Sequence, residues 1–465
     1  MSSATKKNAI PGRWTETLER RGDDAAIMGR EGGVERTFGE IEEEAGRWAE
    51  KLGAWEPGTV VAMQAGNSPA WPALVLGAMR RGLIPLPLGR HMAKEELEAA
   101  LETCGAGALV MCGESGLEVV ELQAGRAADA LEGCDFLKLT SGTTSRPRAI
   151  RFTAGQLAAD CDNICETMGI GEEDLNFGVI PFSHSYGFSN LITPLICRGV
   201  RLVASEDRMP RAILNDLAQT GATVFPGMPV FFEKLAGMET TTVLPKLRLC
   251  ISAGAPLPVR VGEAFSARFG LKIHTFYGSS ECGGIGYDGA EGLKYEEGFV
   301  GQAMRHVEIV PEGEAGQIAV RSEAVACGYY PEPERETLGG GRFVPADLIR
   351  IEANGMYLTG RATDVINIAG RKLNPAEVEL RLSQCPGVRQ VVVFGVASAL
   401  RNEEAVACVS GTASVEEVLR YARSVLSGWQ VPKDVWVVDE VPVNERGKTS
   451  RRELAARYAG MRRLL

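Results

Sequence analysis

Apolar segments of strand length alternate with amphipathic segments of helix length between residues 59 and 278. The pattern is clear at its start, where a predicted strand at 59–64 precedes a predicted helix at 71–81. Strands separated by helices favour parallel sheets covered by helices, because a parallel pair needs a long crossover connection. The same pattern predicts further strands at 83–88, 176–182, 200–204, 223–226, 247–252 and 273–277, and further helices at 94–103, 211–220 and 261–269.

The pattern changes between residues 299 and 357. Short apolar runs such as 307–310 and 317–321 are separated there by Gly and Pro, which is typical of a small β-rich subdomain. After Arg361 the chain returns to longer elements, with helices predicted at 376–383 and 415–426 and strands at 390–396 and 435–438.

These patterns predict an α/β protein with two domains, since 465 residues are too many for one hydrophobic core. Residues 1–361 are expected to form a large N-terminal domain of parallel, helix-covered sheets with a β-rich subdomain. Residues 362–465 are expected to form a small α+β C-terminal domain.

Composition excludes several classes of protein. The chain has 60 acidic and 50 basic residues, which argues against a dedicated nucleic-acid binder. Its eleven cysteines and four histidines lack the spacing of metal ligands. The cysteines are scattered along the chain, which is typical of reduced thiols. No secretory signal is visible in residues 1–12 and no apolar run is long enough to span a bilayer, so we predict a cytoplasmic protein. We expect it to be a monomer or a homodimer.

A hydroxyl-rich run follows the apolar segment at 136–139. It reads Thr-Ser-Gly-Thr-Thr-Ser-Arg-Pro-Arg over residues 140–148 and is poorly suited to a core strand or a helix. Open backbone N–H groups, hydroxyls and two arginines are suited to binding an oxyanion such as phosphate. A Walker loop is excluded because the Gly-Lys-Ser/Thr triplet is missing. The candidate phosphate-binding residues are Thr140, Ser141, Gly142, Thr143, Thr144 and Arg148.

Three further blocks follow this loop in order. They read Tyr-Gly-Ser-Ser-Glu at 277–281, Tyr-Leu-Thr-Gly-Arg at 357–361 and Asn-Glu-Arg-Gly-Lys at 444–448. Together with residues 140–148, these blocks resemble the motifs of the adenylate-forming superfamily, which includes acyl-CoA synthetases, adenylation domains of peptide synthetases and luciferases. The resemblance implies an AMP-forming acid–thiol ligase that uses ATP, Mg²⁺ and coenzyme A, and a C-terminal domain that is mobile.

The resemblance also implies an ATP site. Residues 140–144 would hold the β- and γ-phosphates, and Arg148 would contact phosphate where the family usually has lysine. Glu281 would bind Mg²⁺ together with Thr144, since a hard cation prefers oxygen ligands. The other implied ATP contacts are Gly254, Ala255, Pro256, Tyr277 and Gly278 on the adenine side, Ser280 near the α-phosphate, and Asp347 and Arg361 at the ribose.

Four positions would serve the acid and the thiol according to the same resemblance. Lys448 would reach the substrate carboxylate and the α-phosphate during adenylation. His184 would stand between the acyl site and the thiol tunnel. Ala369 and Gly370 would meet the pantetheine arm of CoA or of a carrier protein.

Three interpretations of the function stay open at this point. The first is an acid–CoA ligase, and the second is an acyl-AMP ligase that loads the phosphopantetheine of an acyl carrier protein. The third is a catalytically weak nucleotide-binding relative, which only the departures from the family motifs at Ser145, Arg148 and Thr363 favour. The presence of Glu281 and Lys448 argues against the third interpretation.

The substrate is predicted to be a fatty or aromatic acid rather than an amino acid. Phe188, Phe225 and Met228 suggest an apolar pocket, and Gly283 and Gly284 would leave room for the acyl group. No aspartate that could pair with a substrate amino group lies between residues 183 and 190.

Overall fold

The computed structural model describes most of the chain. The described residues are 9–114, 116–122, 131–140, 147–313, 316–398, 402–442 and 449–462. They form an α/β structure, so the predicted fold class is confirmed. Among these residues, no helix combines the length and the apolar character needed to cross a membrane.

The chain divides into two units. The first contains Met1–Glu312, Ile318–Pro345 and Ile351–Tyr357. The second contains Gly313–Gln317, Ala346–Arg350 and Leu358–Leu465. The hairpin strands Asp347–Glu352 and Gly355–Arg361 therefore contribute residues to both units.

The largest sheet of the first unit has a parallel centre. Its central strands are short and buried along their whole length, as expected for strands with helices on both faces. The chain reverses after the strand Ile273–Ser279, which pairs antiparallel with Gly283–Tyr287. In spatial order the strands are Val34–Thr37, Ala25–Met28, Arg201–Ala204, Leu175–Gly178, Val224–Gly227, Leu249–Ser252, Ile273–Ser279, Gly283–Tyr287, Phe299–Ala303, Gly355–Arg361 and Asp347–Glu352.

The helices of the first unit begin and end at recognisable signals. The helix Ala154–Met168 starts with a capping box, in which Thr153 accepts from the backbone of Gln156 and Gln156 accepts from the backbone of Thr153. It ends at Gly169, whose φ of 63° suits a left-handed cap. The other helices among the described residues of this unit are Ile10–Arg21, Phe38–Lys51, Trp71–Arg80, Lys94–Cys104, the short Ser185–Gly187 with the π-helix Phe188–Ile192 that follows it, Thr193–Arg198, Pro210–Thr220, Pro229–Ala236 and Val259–Phe269.

Three smaller sheets complete the described part of the first unit. A mixed sheet has the order Ile84–Pro87, Val60–Gln64, Ala106–Gly113, Gly116–Glu121. A β-rich segment, as predicted from the sequence, forms the sheet Glu308–Pro311, Ile318–Arg321, Arg342–Phe343, Leu338–Gly339. The third sheet has the order Gly328–Tyr330, Arg148–Phe152, Phe136–Thr140.

The second unit is built on a five-stranded sheet. Its longest strands, Val388–Ser398 and Asn402–Gly411, pair antiparallel over most of their length. Asp434–Val438 joins Asn402–Gly411 on its other side, in parallel. The remaining elements are the strands Ile366–Ile368 and Arg371–Leu373 and the helices Pro375–Leu382, Val415–Val425 and Arg451–Arg462.

Candidate active site

The hydroxyl-rich run is carried by a hairpin stem. Thr140 ends one strand and Arg148 begins the next, and the two residues face each other in the antiparallel ladder. The Thr140 hydroxyl donates to the Arg148 carbonyl at 3.1 Å. The stem brings the two ends of the run together, as a phosphate-binding loop requires. Four of the predicted phosphate ligands, Ser141, Gly142, Thr143 and Thr144, lie outside the described residues.

Arg148 is held against an aromatic ring. Its guanidinium carbon lies 4.1 Å from the ring centroid of Tyr329, and its Nη1 lies 2.9 Å from Glu334 Oε1. Its Nε and Nη2 atoms are buried and have no hydrogen-bond partner among the described residues. Guanidinium stacks on aromatic rings and forms planar hydrogen bonds to phosphate, so arginine suits this position although the family usually has lysine.

Glu281 lies next to the same ring. Its Oε1 accepts a hydrogen bond of 3.0 Å from the Tyr329 hydroxyl, and its Oε2 accepts from the Ser279 hydroxyl. Its backbone carbonyl accepts from the N–H of Ala326 at 2.9 Å. An oriented, half-buried carboxylate is the kind of ligand that Mg²⁺ takes together with substrate phosphates.

The segment that carries His184 meets the segment that carries Glu281. The Ser185 hydroxyl donates to the Ser280 hydroxyl at 2.8 Å. His184 caps the short helix Ser185–Gly187, and its Nδ1 accepts the backbone N–H of Tyr186 at 3.2 Å. This contact orients the His184 ring at the first turn of the helix.

The predicted adenine contacts lie at the carboxyl ends of two neighbouring parallel strands. Gly254, Ala255 and Pro256 form an exposed turn just after the strand Leu249–Ser252, and Gly254 has a φ of 86°. The last three residues of the next strand, Ile273–Ser279, include the buried Tyr277 and the exposed Gly278. The carboxyl ends of strands are where open α/β sheets bind ligands.

The predicted ribose and pantetheine residues lie in the second unit. Arg361 donates from Nε to Asp347 Oδ1 at 2.6 Å, so the two predicted ribose contacts form an ion pair with each other. Ala369 and Gly370 form an exposed two-residue turn in which both have positive φ, 52° and 86°. Asn367 supports this turn by accepting the Gly370 N–H at 2.9 Å. Lys448 lies outside the described residues.

Sequence reasoning missed a buried polar cluster beside the predicted acyl pocket. Lys138 lies inside the strand Phe136–Thr140, in a segment taken as apolar, and its Nζ is 3.4 Å from the Ser189 hydroxyl. The Ser189 hydroxyl donates to Asp160 Oδ2 at 2.6 Å, and Asp160 Oδ1 accepts from the Gly284 N–H at 3.0 Å. Burial lowers the pKa of Lys138, while the charges of Asp160 and Glu281 oppose that shift. A lysine between Leu137 and Leu139 gives no local signal of such partners.

The residues used to argue for an open apolar pocket have other roles. Phe188 packs at a tilt against Phe136 with ring centroids 4.5 Å apart, and Phe225 packs in the core against Phe177 and Phe232. The two glycines do not leave empty space. A Cβ at Gly283 would lie 1.9 Å from the Asp160 carboxylate, and one at Gly284 would lie 2.5 Å from the Met304 sulfur. The space beside the Cα atoms of Gly283 and Gly284 is therefore taken by Asp160 and Met304, while the apolar acyl pocket stays a prediction.

Family models account for most of the chain. The model of the AMP-binding enzyme matches residues 14–135 and 126–330, and the model of the AMP-binding enzyme C-terminal domain matches residues 377–448. The chain belongs to the AMP-binding enzyme family. The predicted membership of the adenylate-forming superfamily is thus confirmed, as is the prediction that the protein is an enzyme.

Members of the family match the chain over nearly its whole length. The feruloyl-CoA synthase of an Amycolatopsis species is 28% identical, and the alignment covers 97% of this chain and 100% of the relative. The long-chain-fatty-acid–CoA ligase FadD13 of Mycobacterium tuberculosis is 23% identical, with 92% and 94% covered. The crystal structure of ATP-bound MatB from Rhodopseudomonas palustris has the same fold, with a TM-score of 0.85, 23% identity and 97% and 99% covered.

Proposed function

We propose that this protein is an AMP-forming acid–thiol ligase that joins an aromatic carboxylic acid to coenzyme A. The observation that carries the proposal is the match to a feruloyl-CoA synthase along the entire length of that relative. The cluster of Arg148, Tyr329 and Glu281 at the stem of the hydroxyl-rich run supports it, because a cation and an oriented carboxylate suit Mg²⁺-ATP.

The proposed reaction has two steps. In the first, a carboxylate oxygen of the acid attacks the α-phosphorus of ATP, the bond to the bridging oxygen breaks, and pyrophosphate leaves. In the second, the CoA sulfur attacks the acyl carbon, the thiol loses its proton, and AMP leaves. Both steps develop negative charge that positioned cations and N–H donors can stabilise, so the protein contributes positioning and electrostatics.

The residues divide this work among them. Residues 140–144 and Arg148 would bind the phosphates, and Glu281 would hold Mg²⁺, which supplies charge neutralisation at the phosphates when bound. Ser280, already paired with Ser185, would lie near the α-phosphate. Asp347 would accept from the ribose hydroxyls while Arg361 orients it at 2.6 Å. Ala369 and Gly370 would contact the pantetheine arm.

The first experiment is ATP–pyrophosphate exchange without CoA, across hydroxycinnamic and benzoic acids, fatty acids of several lengths, and amino acids. We expect exchange with the aromatic acids, followed by CoA thioester formation when CoA is added. Exchange with fatty acids alone would assign the protein to the second substrate class, which the match to the fatty-acid ligase favours. A folded protein that shows no pyrophosphate exchange with any of these acids would contradict the proposal.

The thiol that accepts the acyl group is identified in a second experiment with the same protein. Formation of the thioester with free CoA supports the proposed ligase. Transfer to the phosphopantetheine of a carrier protein, with no transfer to CoA, would instead support the carrier-loading activity.

Lys448→Ala is expected to slow adenylation by about 10²–10³-fold, the loss typical when one group that stabilises transition-state charge is removed. The variant should still transfer acyl groups from a supplied acyl-adenylate to CoA, because that step no longer involves the α-phosphate attack. Pyrophosphate exchange measures the first step, and thioester formation from synthetic acyl-adenylate measures the second. Equal losses in both would contradict the role assigned to Lys448.

A further inference from the structure

Tyr329 contacts both charged side chains that the proposed function places at Mg²⁺-ATP. Its hydroxyl donates to Glu281 Oε1 at 3.0 Å. Its ring lies against the Arg148 guanidinium, whose carbon is 4.1 Å from the ring centroid. Tyr329 is buried, with 8% of its surface exposed, so both contacts are made away from bulk water. Tyr329 lies outside the four sequence blocks at 140–148, 277–281, 357–361 and 444–448.

The backbone fixes the position of Tyr329 relative to both partners. It lies in the strand Gly328–Tyr330, opposite Ile150 in the antiparallel ladder with Arg148–Phe152. The preceding residues are tied down as well, since the N–H of Ala326 donates to the Glu281 carbonyl at 2.9 Å. The ring is thus held by the same sheet that carries Arg148, and its segment is bonded to the backbone of Glu281.

The Tyr329 hydroxyl is the donor in this pair, because a carboxylate oxygen can only accept. A donor held on a rigid strand restricts the rotation of the Glu281 carboxylate. Groups that orient a metal ligand in this way commonly affect metal affinity about 10–100-fold.

We propose that Tyr329 is a positioning residue that orients Glu281 for the divalent cation and couples it to the phosphate-binding Arg148. The inference rests on the proposed function, because it takes Glu281 as the ligand of the cation that accompanies ATP. Ser279, which donates to the other oxygen of Glu281, completes the orientation of the carboxylate.

The test is a titration with Mn²⁺, a paramagnetic substitute for Mg²⁺, in the presence of the unreactive ATP analogue α,β-methylene-ATP. Electron paramagnetic resonance of free Mn²⁺ gives the affinity without any turnover. Tyr329→Phe keeps the ring against Arg148 and removes only the hydroxyl, so we expect about tenfold weaker Mn²⁺ binding. The matched control is Tyr330→Phe on the same strand, where the ring packs against an apolar cluster and the affinity should stay unchanged.

A second comparison separates positioning from packing. In a Glu281→Gln background, adding Tyr329→Phe should change Mn²⁺ affinity little, because the hydroxyl is proposed to act through the carboxylate. A tenfold loss in both backgrounds would overturn the inference, as would a Tyr329→Phe variant that binds Mn²⁺ as tightly as the wild type. Melting temperatures of all variants check that each is folded.

The Tyr329 proposal and the ligase proposal predict results that can be told apart. Suppose that the wild-type protein binds Mn²⁺ with the nucleotide but shows no pyrophosphate exchange with any acid. That result would contradict the ligase proposal and leave the Tyr329 comparison valid. A wild-type protein without nucleotide-dependent Mn²⁺ binding would overturn both.

Discussion

Replacing Arg451 with methionine is expected to lower the free energy of unfolding of the second unit by about 3 kcal/mol. Arg451 donates from Nη2 to both oxygens of Glu379, at 2.8 and 2.9 Å, and from Nη1 to Asp364 at 2.6 Å. Its Nε donates to the Val393 carbonyl at 3.0 Å. Methionine leaves two carboxylates without their cation. The estimate is at the low end for a broken buried pair because the Arg451 and Glu379 side chains are 28% and 18% exposed.

Hydrogen–deuterium exchange gives the measurement for this unit alone. Amides of the strand Val388–Ser398, which carries Val393, should exchange faster in Arg451→Met, while those of Val60–Gln64 in the first unit serve as an internal reference. The matched control is Arg457→Met on the same helix, since Arg457 is exposed. Equal acceleration in the two variants would contradict the role assigned to Arg451.

The free energy of unfolding that Arg451→Met loses should also depend on pH. Burial raises the pKa of Glu379 even though Arg451 opposes the shift. A carboxyl group whose folded-state pKa is raised stabilises the fold below its unfolded pKa and loses that contribution as the pH rises through the folded value. Without Arg451 the pKa of Glu379 rises further, so the deficit of Arg451→Met should be smaller near about pH 5 than near about pH 8. A deficit independent of pH would contradict an unpaired Glu379 as its cause.

Segments with a clear local pattern were predictable from sequence. The predicted helix at 71–81 is Trp71–Arg80, and the predicted strand at 59–64 is Val60–Gln64. The strand Asn402–Gly411 was missed because Asn402 and two glutamates open it. Its stability comes from pairing on both sides, with Val388–Ser398 and Asp434–Val438, and such contacts leave no trace in a short window of sequence.

One predicted strand is shorter than its apolar run. The run at 176–182 continues as buried chain after Gly178, where the strand ends. The reason is Asn67, which donates to the carbonyls of Gly178 and Ile180 and accepts from the N–H of Phe182. A distant side chain thus satisfies backbone groups that a strand partner would otherwise satisfy.

The candidate site was predictable only where its residues belong to ordered motifs. Glu281 and Arg148 lie in such motifs, whereas Tyr329 reaches Glu281 from a position 48 residues further along the chain. That contact depends on the register of the strand Gly328–Tyr330 against Arg148–Phe152, which sheet pairing sets. The same holds for Asp160, whose position against Gly283 depends on how a helix packs on the sheet.

The buried cluster of Lys138, Ser189 and Asp160 provides the second large effect on stability. The three residues are 5%, 4% and 3% exposed, so each polar group depends on protein partners. Asp160 links the cluster by accepting from Ser189 at 2.6 Å and from the Gly284 N–H at 3.0 Å. Removing one partner from a buried charged cluster usually lowers the free energy of unfolding more than replacing the whole cluster with apolar groups. The reason is that the first change leaves a buried charge without a partner.

Asp160→Ala is therefore expected to lower the free energy of unfolding of the first unit by about 3–5 kcal/mol. Lys138 would lose the carboxylate whose charge most raises its pKa, so the pKa of this lysine, already lowered by burial, would fall further. Adding Lys138→Met should recover part of the loss, since methionine fills a similar volume without a charge. Exchange of amides in Phe136–Thr140 measures the effect, with Glu166→Ala on the same helix as the control because its side chain is 35% exposed and its ion pairs are solvated. If the double variant is no more stable than Asp160→Ala, the cost comes from the unpaired Ser189 and Gly284 groups rather than from the buried lysine.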